Sequence, residues 1–323
     1  MNILVVRNDK LGDFITALPT LYVLKHRNPA NRIIALVAPL NRKLAQSCDF
    51  IDEVIVDEGE DILGLAFQIK KANIDASVTL FSNTRVALAQ WIARIPIRIA
   101  PATKIAQIFY NRRVVQRRSE VKMAEFEYNL QLAGALFKDI SRDFPKPLLK
   151  FTDERYALFC AEYGISKPVV AFHPGFGGSS DANWTLSEYM QLVSIATENE
   201  TVDIVMTFGP DEEKLYDEAK SLLRESRVIL YRSQGSIIDF AALLSRFKLF
   251  VSTSTGTYHL ASASGCETFT FFGDSKFASA ARWKSIGEEA KQHHFMIPLD
   301  ARGRAQMFEH VKRELKSFLL KGF

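Results

Sequence analysis

A chain of 323 residues with 47% hydrophobic and 24% charged side chains is too long for a single core and too apolar for a disordered chain, so two folded domains are expected. No apolar run approaches the ~20 residues of a membrane span, residues 1–6 meet Arg7 too soon to form a signal peptide, and Cys48, Cys160 and Cys266 are too scattered for a disulfide framework or a zinc module, so a cytoplasmic protein is expected. Charge is uneven: residues 1–150 hold 22 Lys and Arg against 15 Asp and Glu, the remainder 19 against 22, which directs the N-terminal half towards an anionic partner.

Residues 3–6 read as a buried strand, residues 8–13 as a turn, and residues 14–27 as a helix with Ile15, Leu18, Leu21 and Leu24 at helical spacing. Pro19 fits the early turns of that helix or marks a kink. Strand (32–37), helix (41–47), strand (54–56), helix (63–71) and strand (76–80) follow at short spacing, the pattern of a parallel α/β sheet. Residues 85–122 interrupt this rhythm with nine basic residues against Glu120 alone, interleaved with Trp91, Phe109 and Tyr110. They read either as a solvated basic face over core helices or as a surface for an anionic acceptor or the inner face of a membrane. No helix-turn-helix, RRM or zinc signature accompanies them, so nucleic acid is not expected as a partner. Residues 123–137 are helical, and the prolines of 143–147 mark a linker, dividing the chain into domains 1–147 and 148–323.

After a helix at 151–163 the pattern restarts. Strand 168–172 runs into a Gly-rich turn, 173–180, and Thr185 with Glu188 forms a capping box at the next helix. Strand 203–209 ends at the turn 210–213, which starts a polar helix; strand 228–231, helix 237–244, strand 249–251, strand 268–272 and an amphipathic helix at 306–320 complete the chain. The fold expected is α/β, two doubly wound Rossmann-like domains whose C-terminal strand ends face one cleft, where open α/β sheets bind ligands. Residues 252–265 stand out as a strand, a Ser/Thr/Gly turn and a helix start. The first N–H groups of a helix lack internal partners and carry partial positive charge. Gly256 admits close backbone approach, and Ser254, Thr255 and Thr257 add hydroxyls, so an anion could be held there.

Four motifs occur in order: Arg7-x-x-x-x-Gly12-Asp13-x-x-x-x-x-Pro19; His173-Pro174-Gly175 through Trp184; Gly209-Pro210-x-Glu212; and Ser254-Thr255-Gly256-x-x-His259-x-x-x-x-x-Gly265 running to Phe272-Gly273. Over nearly the whole chain the sequence resembles the heptosyltransferase family, glycosyltransferase family nine. The resemblance implies a GT-B fold and inverting transfer of heptose from a nucleotide diphosphate sugar, usually ADP-heptose, to a lipopolysaccharide core. It implies that Asp13 is the general base, that Thr255, Gly256 and the amides towards His259 bind phosphate, and that Glu212 or Glu213 accepts from ribose hydroxyls. His173 and Gly175 fall in the donor turn, with Gly177, Gly178 and Ser179 covering the diphosphate from the other side. Arg7, Lys10 and Gly12 in the first loop, with Arg85, Arg112 and Arg113, are candidates for contact with phosphate or an anionic glycolipid acceptor at the inner membrane surface.

Plainer readings stand beside these: Asp13 as a helix cap, His259 as a core imidazole bonded to backbone, Glu212 and Glu213 as acids favoured at a helix N-terminus. Ala182 and Ser254 stand where many family members carry Lys and Asp, and Thr257 replaces a common Pro. With no Asp-x-Asp motif and no G-x-G-x-x-G after an opening strand, neither a metal, another cofactor nor a dinucleotide oxidoreductase is expected. Another nucleotide sugar, a protein acceptor, or nucleotide-sugar binding without transfer are the alternatives.

Overall fold

The computed structural model describes residues 1–321 except 60, 104, 177–181 and 224–225. The chain divides into two compact units, Met1–Leu148 and Leu149–Phe323. The first holds β1 (Asn2–Arg7), β2 (Arg32–Val37), β3 (Glu53–Val56), β4 (Ala76–Thr79), β5 (Ile97–Pro101) and β6 (Arg112–Val114). They lie parallel in the order β3-β2-β1-β4-β5-β6. The second unit holds β7 (Val169–His173), β8 (Asp203–Phe208), β9 (Ile229–Arg232), β10 (Leu249–Thr253), β11 (Glu267–Gly273) and β12 (Gln292–Ile297), parallel in the order β12-β11-β10-β7-β8-β9.

Both sheets repeat one winding. The first strand sits at the centre, two strands add on one side, and the chain crosses back to add three on the other. The reversal opens a crevice beyond the C-terminal ends of β1 and β4 in one unit and of β7 and β10 in the other. Strands covered by helices on both faces are apolar throughout rather than alternating. Ile3, Leu4, Val5 and Val6 of β1 and Val169, Val170, Ala171 and Phe172 of β7 are accordingly all buried.

The basic stretch does not interrupt the winding as expected. Helix Thr84–Ile92 leads into β5, and a 3-10 turn, Ile105–Phe109, leads into β6. Both strands are hidden in sequence by arginines: Arg98 of β5 turns its side chain onto the carbonyls of Ile95 and Phe109, and β6 is an edge strand with Arg at two of three positions. At the corresponding edge of the other sheet, β12 begins Gln292-His293-His294 and escapes a hydrophobicity reading because its first residues are polar. The last helix starts at Ala301 rather than 306, because the Asp300 carboxylate caps it by accepting from the Gly303 N–H at 2.8 Å. The helix expected over 123–137 is confined to Glu125–Gly134.

The core of the second unit gathers Phe172, Trp184, Tyr189, Phe269, Phe271 and Phe295, closed by Phe308, Val311, Leu315 and Leu319 of the last helix. Phe271 sits between Trp184 and Tyr189, both edge-on at centroid distances of 5.7 and 6.1 Å. Phe271→Ala is expected to cost about 3–5 kcal/mol, read as a lowered denaturation midpoint in urea; a loss below about 1 kcal/mol would show that this packing is not central.

Candidate active site

The crevice of the first unit begins where β1 delivers Arg7. Its guanidinium is buried and forks onto three carboxylates: Nε donates to Asp9 Oδ1 at 2.9 Å, Nη1 to Glu125 Oε1 at 3.3 Å, and Nη2 to Asp13 Oδ1. Glu125 also accepts from Arg118, whose guanidinium binds Gln116 Oε1 at 2.9 and 3.1 Å. Asp13 lies in the first turn of helix Leu11–Arg27, but Lys10 is the cap residue, and the Asp13 carboxylate turns to Arg7 instead. Its Oδ2 has no protein partner among the described residues, and the side chain is one-fifth exposed.

Burial alone would lower the Arg7 pKa, but Asp9, Asp13 and Glu125 outweigh it and the net shift is upward, so the guanidinium stays charged. Asp9 goes the other way for a carboxylate. Burial pushes it up to about 6, Arg7 opposing and Asp13 reinforcing the rise.

The remaining basic candidates divide. Lys10 is exposed at the start of the helix, with Gly12 in its first turn. Arg85 is an ion-pair partner of Asp57, which also accepts from Asn8, so it braces the Asp13 loop rather than offering a bare charge. Burial would raise Asp57, but its bonds from Arg85, Asn8 and the Gly59 N–H hold it below the usual range. Arg112 and Arg113 are both exposed, and Arg112 donates to the Ala135 carbonyl at 3.5 Å. Arg118, read in sequence with the basic surface, belongs instead to the buried chain of charges behind Asp13. Lys104 lies outside the described residues.

In the second unit, His173 ends β7 with Nδ1 at 2.9 Å from the Thr207 carbonyl and 3.1 Å from its hydroxyl. A carbonyl can only accept, so Nδ1 carries the hydrogen and Nε2 the lone pair. Burial lowers the His173 pKa, only partly offset by Glu212, whose Oε1 is 4.0 Å from Nε2. Glu212 Oε2 accepts from the Gly209 N–H at 2.7 Å, and the carboxylate lies directly on Gly175, where any Cβ would collide with it. His173, Gly175 and Glu212 therefore converge. Glu213 does not join them; it is exposed and paired with Arg232 at 3.0 Å.

Beside them, helix Gly256–Ala263 starts from Thr255, whose extended backbone makes no side-chain cap, and its first turn contains no acid. The Thr255 hydroxyl is instead 2.9 Å from that of Thr257, while the Ser254 N–H donates to the Phe271 carbonyl. The amides of the first turn are thus free of side-chain caps, an arrangement that binds anions. His259 is buried, its Nδ1 has no hydrogen-bond partner among the described residues, and burial drives its pKa down to about 3. The imidazole is neutral, so it cannot offer a phosphate a positive charge. It is a core residue, as the plainer reading expected, but among the described residues its Nδ1 makes no backbone bond. Gly177, Gly178 and Ser179 lie outside the described residues. No group of three or more His, Cys, Asp or Glu among the described residues could hold a metal ion.

Two residues of this crevice were not singled out in sequence. Asn183 ties the turn after β7 to the end of β10, donating to the Pro174 carbonyl at 3.1 Å and accepting from the Thr253 hydroxyl. Arg304 reaches in from the last helix, donates at 2.9 Å to the Asn183 carbonyl and to Glu188, and stacks over Trp184. The Asp300 cap and the helix it starts were the sequence signal for Arg304. Ala182 is buried next to them.

Comparison with known proteins adds to this geometry. The profile of glycosyltransferase family 9 (heptosyltransferase) matches residues 62–303. A Haemophilus influenzae protein whose name goes no further than glycosyltransferase is 36% identical over 309 residues, covering 92% of this chain and 89% of that one. The structure of Escherichia coli ADP-heptose LPS heptosyltransferase II superposes with a TM-score of 0.82 at 19% identity, covering 99% of both chains. That of E. coli heptosyltransferase WaaC with ADP gives 0.73 at 17% identity, covering 98% and 99%. The fold is the GT-B fold of these enzymes.

Asp9 supplies a pH test of the Arg7 cluster. Its native value of about 6 exceeds the ordinary 3.8, so the native state binds the proton more tightly than the unfolded chain. Stability therefore falls as pH rises from about 4 to 6 and stays reduced above that. Asp9→Asn removes the penalty, so its thermal midpoint should gain on wild type across this window; a difference independent of pH would refute the shift.

Proposed function

The chain belongs to glycosyltransferase family 9, the heptosyltransferase family, and from that premise we propose that it transfers heptose from ADP-heptose to a lipopolysaccharide core acceptor, with inversion and with Asp13 as general base. The observation that carries this reading is the Asp13 carboxylate, one oxygen held by a buried arginine and the other without a partner among the described residues, in the first helical turn after β1. In the reaction, Oδ2 accepts the proton of an acceptor hydroxyl as its oxygen attacks the anomeric carbon on the face opposite the diphosphate. The carbon–oxygen bond to the diphosphate breaks, its electron pair leaves with ADP, and the configuration inverts.

We assign acceptor binding to the N-terminal unit and donor binding to the C-terminal unit. The departing charge would be met by the amides at the start of helix Gly256–Ala263 and the hydroxyls of Ser254, Thr255 and Thr257, a fixed dipolar site that needs no reorganisation. Ala182 supplies no cation, and His259 is neutral, so the C-terminal unit would rely on dipoles rather than on charge. Gly177, Gly178 and Ser179 complete the diphosphate contacts in this proposal. Glu212, whose Oε1 has no hydrogen-bond partner among the described residues, is the ribose acceptor in preference to Glu213, which is engaged by Arg232. Arg7 is fully occupied by carboxylates and positions the base; Lys10 is the basic residue of that loop exposed for a substrate phosphate, and Arg112 and Arg113, at successive positions of the edge strand, are separate candidates for an anionic glycolipid. The scheme uses neither metal nor cofactor. Its donor is supported by the ADP-heptose and ADP named for the E. coli enzymes.

Asp13→Asn should lower kcat by about 10²–10⁴-fold with the ADP dissociation constant unchanged in calorimetric titration, and transfer at the wild-type rate would remove Asp13 from the role. Wild-type protein should bind ADP in preference to UDP and GDP, with EDTA present. Preference for another nucleotide would replace the donor and keep the enzyme class.

A further inference from the structure

The arginines of 85–122 are sorted by the sheet. β6 pairs with β5 so that Ile99 meets Arg112 and Ala100 meets Arg113. Side chains of neighbouring strand residues point to opposite faces. Ala100 packs with Ala87, Ala106 and Tyr110, under helix Thr84–Ile92 and the 3-10 turn Ile105–Phe109, so Arg113 emerges on that face. Arg112 emerges on the other, where it meets the Ala135 carbonyl.

The face with Arg113 also carries unexpected apolar surface. Trp91 is 53% exposed, Ile105 77% and Ile108 67%. Helix Thr84–Ile92 and the 3-10 turn pack together, the Trp91 and Phe109 rings 6.3 Å apart. Residues three apart in a 3-10 helix share one side, so Ile105 and Ile108 project together. Arg94 lies three residues after Trp91, its N–H bonded to the Trp91 carbonyl. Glu120, the one acid of the stretch, is occupied by Arg117 and Lys122, and neither Arg94 nor Arg113 has an ion-pair partner among the described residues.

We infer that Trp91, Ile105 and Ile108, flanked by Arg94 and Arg113, form a docking surface for a membrane with anionic headgroups. Single exposed apolar residues are ordinary, but a Trp with two Ile on adjoining short elements, rimmed by arginine, is the pattern of a side chain cluster that enters the headgroup layer while its basic rim holds anionic lipid. The charge selects the occupant. A second copy docking face to face would bring Arg94 and Arg113 of both copies together, whereas an anionic bilayer complements them. Contact is peripheral, since no helix among the described residues is long and apolar enough to cross a membrane. The inference is independent of the donor and base proposed above.

The test is co-sedimentation of the purified full-length protein with vesicles of phosphatidylethanolamine and phosphatidylglycerol, and separately of phosphatidylcholine, with no sugar nucleotide present. Binding is expected to the anionic vesicles only and to weaken with salt. Trp91 emission should shift to the blue on binding, a change lost in Trp91→Phe although Trp184 and Trp283 remain. Ile105→Asp with Ile108→Asp should weaken binding at least about tenfold, as should Arg94→Glu with Arg113→Glu; Ile105→Ser with Ile108→Ser serves if circular dichroism shows the aspartates to be misfolded. Absence of wild-type binding, or apolar-to-polar variants that bind like wild type, overturns the inference. So does a wild-type dimer that these variants dissociate without any vesicle binding, which would make the face an interface between two copies.

Discussion

A guanidinium buried at the end of a central strand cannot stand alone, and Arg7 is surrounded by Asp9, Asp13 and Glu125 because an uncompensated charge there would cost several kcal/mol. That requirement shapes the N-terminal crevice. It curls the Asn8–Lys10 turn back so that Asp9 meets Nε, orients the first turn of the following helix so that Asp13 meets Nη2, and draws in the start of helix Glu125–Gly134. Glu125 then brings Arg118 and Gln116 into the same chain of contacts. A carboxylate held at one oxygen in this way loses rotational freedom without losing its second oxygen, which is the form a base needs for a hydroxyl proton.

The C-terminal crevice is built on the opposite electrostatic principle. Its two histidines are neutral because burial disfavours the imidazolium, and its glutamate is tied to a backbone amide. What it presents to an anion is a helix start with no capping side chain and a set of hydroxyls. Fixed dipoles bind charge without exposing a lone cation to solvent. Asn183 and Arg304 hold the surrounding turns so that those dipoles stay aimed, Arg304 through a helix that also closes the core. The two units therefore share one winding and differ in how they handle charge, which matches the excess of basic residues in residues 1–150 and of acidic ones in the rest.

The stretch between residues 85 and 122 shows how composition can mislead. Nine basic residues suggest one surface, but the fold sends them to at least five destinations: Arg85 to Asp57, Arg98 to two carbonyls, Arg118 to Glu125, and Arg112 and Arg113 to opposite faces of the sheet. Within the same stretch Ile105 and Ile108 stay exposed, although apolar side chains are usually buried.

Sequence by itself determined the α/β class, most of the central strands, the capping box at Thr185 and Glu188, and the positions of the strand-end turns. These follow from local rules: strands covered on both faces are uninterrupted apolar runs, and helix starts are written in a few capping residues. The edge strands β6 and β12 were not legible, because an edge strand carries polar side chains that hydrophobic patterning assigns to loops, and β5, inside the sheet beside β6, was hidden by Arg98. The candidate site divides in the same way. The motif residues Asp13, His173, Glu212 and Thr255 could be picked out one by one, but which carboxylate binds Arg7, which glutamate turns inward, and which arginines remain free depend on residues far apart in the chain. Pairs such as Arg7 with Glu125, or Asn183 with Arg304, are formed by strand order and helix packing, and only the folded chain brings them within hydrogen-bonding distance.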